Sequence, residues 1–398
     1  MPHPGDNPAH PIDPLMKVEC FTIAIPDAAL DDLRSRLAHT RWPDEIEGIG
    51  WHQGAELEYI RSLVNYWRDV FDWRAQEAAL NRVAQFRADV SGQTIHFIHE
   101  RAKNGRGLPL LFTHGWPGSF IEAVKLIPRL TDPESHGARA EDAFDVVVPS
   151  IPGYGFSPAP TAAGMNSYVT AELWGELMSG LGYERFAAQG GDWGASVSTW
   201  LGLQVPSRVA GIHLNYIPGS YDPPRAADGG DLAPEERAFL ESRDKWLDAE
   251  GAYGHIQGTK PQSAAYALNE SPAGLCAWIA EKFRDWSDWQ TNPDEAISRD
   301  TLLTNISIYW FTQTIASSMR LYWEGRRRPV RFAPGQHVDV PVGVARFAKE
   351  EPMPPRKWVQ RCYNVQRWTE FPRGGHFAAL EQPELLAQDI REFFRPLR

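Results

Sequence analysis

Residues 187–196 read AAQGGDWGAS. One acid, Asp192, stands among small residues, and bulky Trp193 follows it. An acid so placed can be a turn former, a metal ligand or a nucleophile. Its flanks narrow the choice. RFAAQGG (185–191) reads as a short apolar strand, and GASVSTWLGLQVP (194–206) as a helix stopped by Pro206. The turn Gly190-Gly191-Asp192-Trp193-Gly194 thus joins strand to helix in the pattern small-x-nucleophile-x-small. A turn this tight leaves no room for side chains beside it, a steric reason for Gly190 and Gly194. It would lift Asp192 to the carboxyl edge of a sheet. The same acid would also serve as a helix N-cap, and the stretch alone fits both roles.

Strands and helices alternate on either side. QTIHFIHERA (93–102), LPLLFTHGWPG (108–118), FDVVVPSIPGYGFS (144–157) and VAGIHLNYI (209–217) read as strands, and YVTAELWGELMSGLG (168–182) as a helix. Continuously apolar strands between helices are the pattern of a mostly parallel sheet covered on both faces. Before them, FTIAIPDAALDDLRSRLAHTRWP (21–43) and GAELEYIRSLVNYWRDVFDW (54–73) carry Leu30, Leu33 and Leu37, then Leu57, Ile60, Val64 and Trp67, at helical spacing. They read as a helical lead-in that ends near Arg87.

From about 225 to 330 the chain turns helical. APEERAFLESRDKWLDAEG (233–251), SPAGLCAWIAEKFRDW (271–286) and, as one helical stretch, DTLLTNISIYWFTQTIASSMRLYWEG (300–325) make up this block. Leu275, Trp278, Ile279, Lys282 and Phe283 mark the period. Strands return at VPVGVARF (340–347) and VQRWTEFPRGG (365–375), and the helix PELLAQDIREFF (383–394) follows. A helical block inside such a chain reads as an inserted cap. The expected division is a Pro-rich flexible lead at 1–16, an N-terminal segment at 17–100, core at 101–225, cap at 226–335 and core again at 336–398.

Composition excludes several classes. With 40 Lys+Arg against 51 Asp+Glu, the net charge is −11. That disfavours nucleic acid, which needs a basic face. The 3 cysteines are scattered, so neither a disulfide framework nor a zinc site is expected, and a cytoplasmic location is the default. No apolar run reaches membrane-spanning length, and the lead MPHPGDNPAHPIDP has no apolar stretch of the signal-peptide kind. No membrane anchor is therefore expected. The 16 tryptophans fit a thick aromatic core first and an aromatic-walled pocket second. GYGFSP (153–158) lacks the last glycine of a dinucleotide fingerprint and reads as a pocket-lining loop. His96 and His99, on one strand, would face opposite ways and make no metal pair. GRRRPVR (325–331) reads as a solvated loop.

Other stretches change the odds for Asp192. His114-Gly115-Trp116-Pro117-Gly118 follows an earlier apolar strand. RGGHFAALEQPELL (373–386) sets His376 in a glycine-rich loop before the last helix. Between cap and histidine, VPVGVARFAKEEP (340–352) offers Glu350 and Glu351, with Asp339 more distant. The order Asp, acid, His is that of the α/β-hydrolases.

With these residues in view, the chain resembles an epoxide hydrolase of the α/β-hydrolase superfamily, of the branch shared by microsomal and fungal enzymes. The resemblance runs from about Val18 onward. It rests on the N-terminal FTIAIPDAALDDLRSRLAHTRWP, HGWPGS, GGDWGA, YGHIQGTKPQS and ALNESPAGLCAWIAEKF, SMRLYWE, VPVGVARF and RGGHFAALEQPELLAQDI. It implies an α/β-hydrolase fold, a mostly parallel central sheet flanked by helices, with an inserted helical cap and an N-terminal helical and meander segment. It also implies Asp192 as nucleophile, His376 as water-activating base, and Glu350 as orienting acid with Glu351 one residue away. Tyr253 and Tyr322 match the two cap tyrosines; read without it, they are ordinary helix-face aromatics. The backbone N–H groups of Trp116 and Trp193 would form the oxyanion hole, framed by His114, Gly115, Pro117, Gly190 and Gly194. No cofactor or metal is implied. The partners are a small apolar epoxide and water, and a homodimer is implied.

The chemistry suits these residue types. A carboxylate displaces at a saturated epoxide carbon without a base, and water then cleaves the resulting ester. His376 would take the water's proton, with Glu350 orienting the ring. Tyrosine hydroxyls, with an ordinary pKa of ~10, can protonate the leaving alkoxide at neutral pH. A haloalkane dehalogenase shares the Asp nucleophile but needs halide donors rather than tyrosines. A serine esterase is disfavoured by Asp at the elbow. The other alternative is a non-catalytic ligand-binding protein on the same scaffold. Detoxification and a step in natural-product synthesis both fit.

Overall fold

The computed structural model describes residues 16–224 and 232–398. The expected Pro-rich lead, Met16 apart, and the expected core–cap boundary near 225 lie outside them. In chain order the structure has β1 (Val18–Phe21), α1 (Asp27–Ala38), α2 (Leu57–Asp69), α3 (Trp73–Leu80), β2 (Gln85–Val90), β3 (Gln93–Glu100) and β4 (Leu108–Thr113). These are followed by α4 (Ile127–Thr131), β5 (Phe144–Pro149), α5 (Ser167–Gly180), β6 (Phe186–Gly190), α6 (Asp192–Gln204) and β7 (Val209–Leu214). Next come α7 (Pro234–Glu250), α8 (Ala252–Thr259), α9 (Pro261–Glu270), α10 (Pro272–Trp286), α11 (Arg299–Thr312) and α12 (Ile315–Gly325). The last elements are β8 (Val338–Phe347), α13 (Arg356–Val359), β9 (Tyr363–Phe371), α14 (Ala378–Glu381) and α15 (Pro383–Phe394).

The strands form one sheet in the order β1-β2-β3-β5-β4-β6-β7-β8-β9. From β5 through β9 neighbours run parallel, while β1, β2 and β3 add on by antiparallel pairing. The parallel strands are apolar on both faces because helices cover both. In β4, Leu110 and Phe112 pack in one layer with Ile390 and Phe393 of α15, while Leu111 joins Trp174 and Leu177 of α5 and Leu201 of α6. That second layer continues without a break into Leu275 and Ile279 of α10, Leu303 of α11 and Met319 of α12. Core and cap thus share one apolar interior, in which each buried side chain of Leu size contributes about 1.5–3 kcal/mol. Among the described residues, no helix is long and apolar enough to cross a membrane.

The structure sharpens two sequence expectations. The N-terminal segment does not end as helices, because QFRADV forms β2, with Phe86 paired to Phe97 of β3 and to Cys20 of β1. Polar Arg87 and Asp89 dilute its alternation, so the strand is defined by its partners and not by its own pattern. The stretch 300–325, expected to be helical, is so, but as two helices. Gln313 takes a left-handed conformation (φ 53°), and the Gln313 and Thr314 N–H groups close the end of α11 onto Trp310 and Tyr309 carbonyls. A glycine there would have announced the stop; glutamine did not.

Candidate active site

The elbow forms where β6 hands over to α6. Asp192 has φ 46°, a left-handed conformation that costs a non-glycine residue about 1–3 kcal/mol. Packing enforces it. A Cβ on Gly190 would lie 2.2 Å from the Gly194 carbonyl carbon, and one on Gly194 would lie 1.9 Å from the Thr113 carbonyl oxygen. The N-cap of α6 is Gly191, and the Asp192 carboxylate does not cap the helix. Its Oδ1 accepts the Trp116 N–H at 2.8 Å. The Trp193 N–H, in the first turn of α6, needs no partner within the helix.

The loop after β4 supplies Trp116. His114 fixes this loop, its Nδ1–H donating to the Gly115 carbonyl at 3.1 Å and its Nε2 accepting the Ile151 N–H at 3.2 Å. Burial lowers its pKa to about 4, so the ring is neutral. Gly115 faces the nucleophile, and a Cβ there would be 2.3 Å from Asp192 Oδ1. The Trp116–Pro117 peptide is cis.

His376 reaches the same place from the loop after β9. Its Nε2 lies 3.5 Å from Asp192 Oδ2, and its Nδ1 lies 2.9 Å from Glu350 Oε2. Burial would lower the His376 pKa, but Glu350 and Asp192 outweigh it and hold the imidazole well above its usual range. Of the two neighbouring acids, buried Glu350 makes this contact. Glu351 is exposed and pairs with Arg346 at 2.8 Å, and exposed Asp339 faces His337.

The histidine loop is tied to the end of α10. The His376 N–H donates to the Trp286 carbonyl at 2.8 Å, and a Cβ on Gly375 would lie 2.4 Å from that same oxygen. The Gly374 N–H donates to Asp288. Glu381 accepts the N–H groups of Asp288, Gly375 and Phe377, and burial raises its pKa to about 7.

Over Asp192 lies an aromatic roof. The Tyr253 ring, from α8, stacks on Trp116 at 5.2 Å, and the Tyr322 ring, from α12, meets Trp193 edge-on at 4.9 Å. The two tyrosine rings meet each other at 5.8 Å. Burial pushes both phenols above their usual range, with the Asp192 charge next for Tyr253 and Tyr253 itself next for Tyr322. Trp286 packs against both Tyr253 and His376 at 5.1 Å. A cavity of about 540 Å³ opens here, walled by Tyr216, Phe239, Trp246, Tyr253 and Trp286, with Asp192 and His376 at its base. Lys282 Nζ lies 5.0 Å from the Tyr253 ring centroid and is paired with Glu281, which explains a lysine on the buried stripe of α10.

Away from this centre, His96 bonds Ser150 and Gln85 and His99 bonds Tyr183, so the two histidines are separate packing residues. The GYGFSP loop braces the cap, with Ser317 bonded to the Gly153 carbonyl and Tyr154 to the Ser318 carbonyl. Sequence reasoning missed three residues at the site: Glu122, Tyr216 and Trp286. Tyr216 had a usable signal, since it follows the carboxyl end of β7, where open parallel sheets collect functional groups. The other two had none beyond proximity to HGWPGS and to the end of a cap helix.

Known proteins resemble this arrangement over nearly the whole chain. The family model described as epoxide hydrolase N terminus matches residues 18–123, and that of the alpha/beta hydrolase fold matches 109–383. A Stigmatella aurantiaca protein provisionally named an epoxide hydrolase is 48% identical, over 95% of this chain and 85% of its own. Epoxide hydrolase 1 of Oryctolagus cuniculus is 41% identical, over 98% of this chain and 91% of its own. The solved structure of Aspergillus niger epoxide hydrolase superposes with a TM-score of 0.83 at 28% identity, covering 96% of this chain and 97% of that one.

Proposed function

The chain belongs to the epoxide hydrolases of the α/β-hydrolase fold, and on that premise we propose that it adds water to an epoxide through an ester on Asp192. The observation that carries this reading is the placement of one carboxylate. Its Oδ1 rests on the Trp116 N–H, while its Oδ2 faces His376 beneath two tyrosines.

In the first step Oδ2 attacks an epoxide carbon and the ring C–O bond breaks. Tyr253 or Tyr322 gives its proton to the departing oxygen. Enclosure under the roof keeps water away and strengthens these hydrogen bonds. In the second step water attacks Cγ of the ester, passing one proton to His376 Nε2, while Glu350 stabilises the imidazolium. Charge then develops on Oδ1, where the Trp116 N–H already sits; a donor so preorganised needs no rearrangement, and the Trp193 N–H, which needs no partner within the helix, would be the second. The imidazolium returns its proton to Oδ2 as the Cγ–Oδ2 bond breaks, which releases the diol with the original Asp192 oxygen; water's oxygen remains on Asp192, and the carboxyl proton left there restores the tyrosinate to a phenol.

Asp192→Asn is expected to abolish diol formation. His376→Gln is expected to accumulate a protein adduct heavier by one epoxide, seen by intact mass. In ¹⁸O water a single turnover should place unlabelled oxygen in the diol. A labelled first-turnover diol, with no adduct on the His376 variant, would sink the covalent reading. A dehalogenase is the second reading: it would use indole N–H groups such as those of Trp116 and Trp193, which, like those of Trp200, Trp278, Trp286 and Trp358, have no partner among the described residues. A halide-release assay on a chloroalkane separates the two.

A further inference from the structure

A second, much smaller chamber borders Asp192 and His376 from the core side. Its walls include Phe112 of β4, Asn215 after β7, Phe377 beside His376, and Glu122. The space open to the centre of a water molecule is about 10 Å³, the size of one water site. A buried water needs two to four polar partners. Glu122, Asp192, Asn215 and His376 supply them.

Glu122 has no part in the steps above. It lies on the turn Phe120–Ala123 just after HGWPGS. Its carboxyl folds back over the loop, where a Cβ on Gly118 would lie 1.8 Å from Oε1. The backbone at Gly115 and Ser119 hydrogen-bonds it. Burial, with the Asp192 charge adding to it, raises its pKa to about 8 against the pull of His376. At neutral pH the group is therefore a neutral acid, offering one O–H donor and one carbonyl acceptor.

We propose that this chamber holds the hydrolytic water and that Glu122 is a positioning residue for it. The inference rests on the ester reading. One water hydrogen goes to His376 Nε2 and the other to the Glu122 carbonyl, which leaves an oxygen lone pair facing Asp192 Cγ. The planar ester carbon has two faces. The alkyl group derived from the epoxide fills the cap side, so water stored on the core side can attack without the roof opening.

The test is single-turnover kinetics with styrene oxide, following ester formation and decay by tryptophan fluorescence and intact mass. Glu122→Met keeps the volume and removes the polar atoms. Ester formation should stay within about twofold of wild type while decay slows about tenfold or more, so that kcat and KM fall together. Glu122→Gln, which retains a carbonyl acceptor, should restore decay to within about threefold. If Glu122→Met does not fold, Glu122→Ala gives the same contrast. Decay at the wild-type rate, or formation and decay slowed equally, would overturn the positioning role. Absence of any ester, even in His376→Gln, would instead overturn the covalent reading.

Discussion

His376 lies between two carboxylates, and in the proposed mechanism only one of them keeps its charge during turnover. Glu350 and Asp192 together hold the imidazole protonated at rest. In the proposed mechanism, esterifying Asp192 removes one support and the imidazole pKa falls; the ring then sheds its resting proton to solvent, after which it can take one from water. The tyrosines behave oppositely: burial pushes both above the usual ~10, and they keep their protons into alkaline solution. Ester formation should therefore stay level from about pH 6 to 9, while ester hydrolysis climbs with pH; stopped flow separates the two phases. A formation rate that drops across this range would count against the tyrosines as proton donors. Asp192 and His376 were legible in the sequence because glycine patterns mark the turns that hold them. Glu350 and Glu351 could not be told apart, since adjacent loop residues point different ways and only the fold decides which meets His376. Tyr253 and Tyr322 were legible only through resemblance, because an aromatic on a helix looks the same whether it packs or reacts.

Among the elements, the parallel strands were the easiest to read, since burial on both faces leaves no alternation to confuse. What escaped was punctuation without glycine or proline. Exposed Gln313 ends α11 in a left-handed conformation, and α12 then packs against α8 and α9 and carries Tyr322 to the roof. The break thus aims one of the two cap tyrosines. Left-handed backbone costs a non-glycine residue about 1–2 kcal/mol, of which glycine's larger unfolded-state entropy takes back part. Gln313→Gly should accordingly stabilise the protein by up to about 1 kcal/mol with kcat unchanged, as read by thermal unfolding. A lowered melting temperature would show that the glutamine side chain contributes more than its backbone costs.

For the molecule as a whole, buried acids and buried histidines pull stability in opposite directions. His96 and His114, lowered to about 3 and 4, must gain protons on unfolding below about pH 6.5. Glu122 and Glu381, raised to about 8 and 7, hold protons in the folded state that the unfolded chain loses above about pH 4.5. The two effects offset each other between those limits. Above about pH 6.5 the histidine contribution ends, while Glu122, Glu381 and the raised His376 all bind more protons folded than unfolded. Stability should therefore be lower at pH 8.5 than at pH 5.5, measured as a denaturant midpoint, and Glu122→Gln should lessen the drop. An unchanged midpoint would mean that these acids are ionised in the folded protein. Glu381 also binds the end of α10 to the histidine loop, so roof and base form one mechanical unit on that side. Swinging the roof there would also move His376. A graft of a foreign cap is therefore expected to keep activity only if its seam spares Trp286 to Asp288.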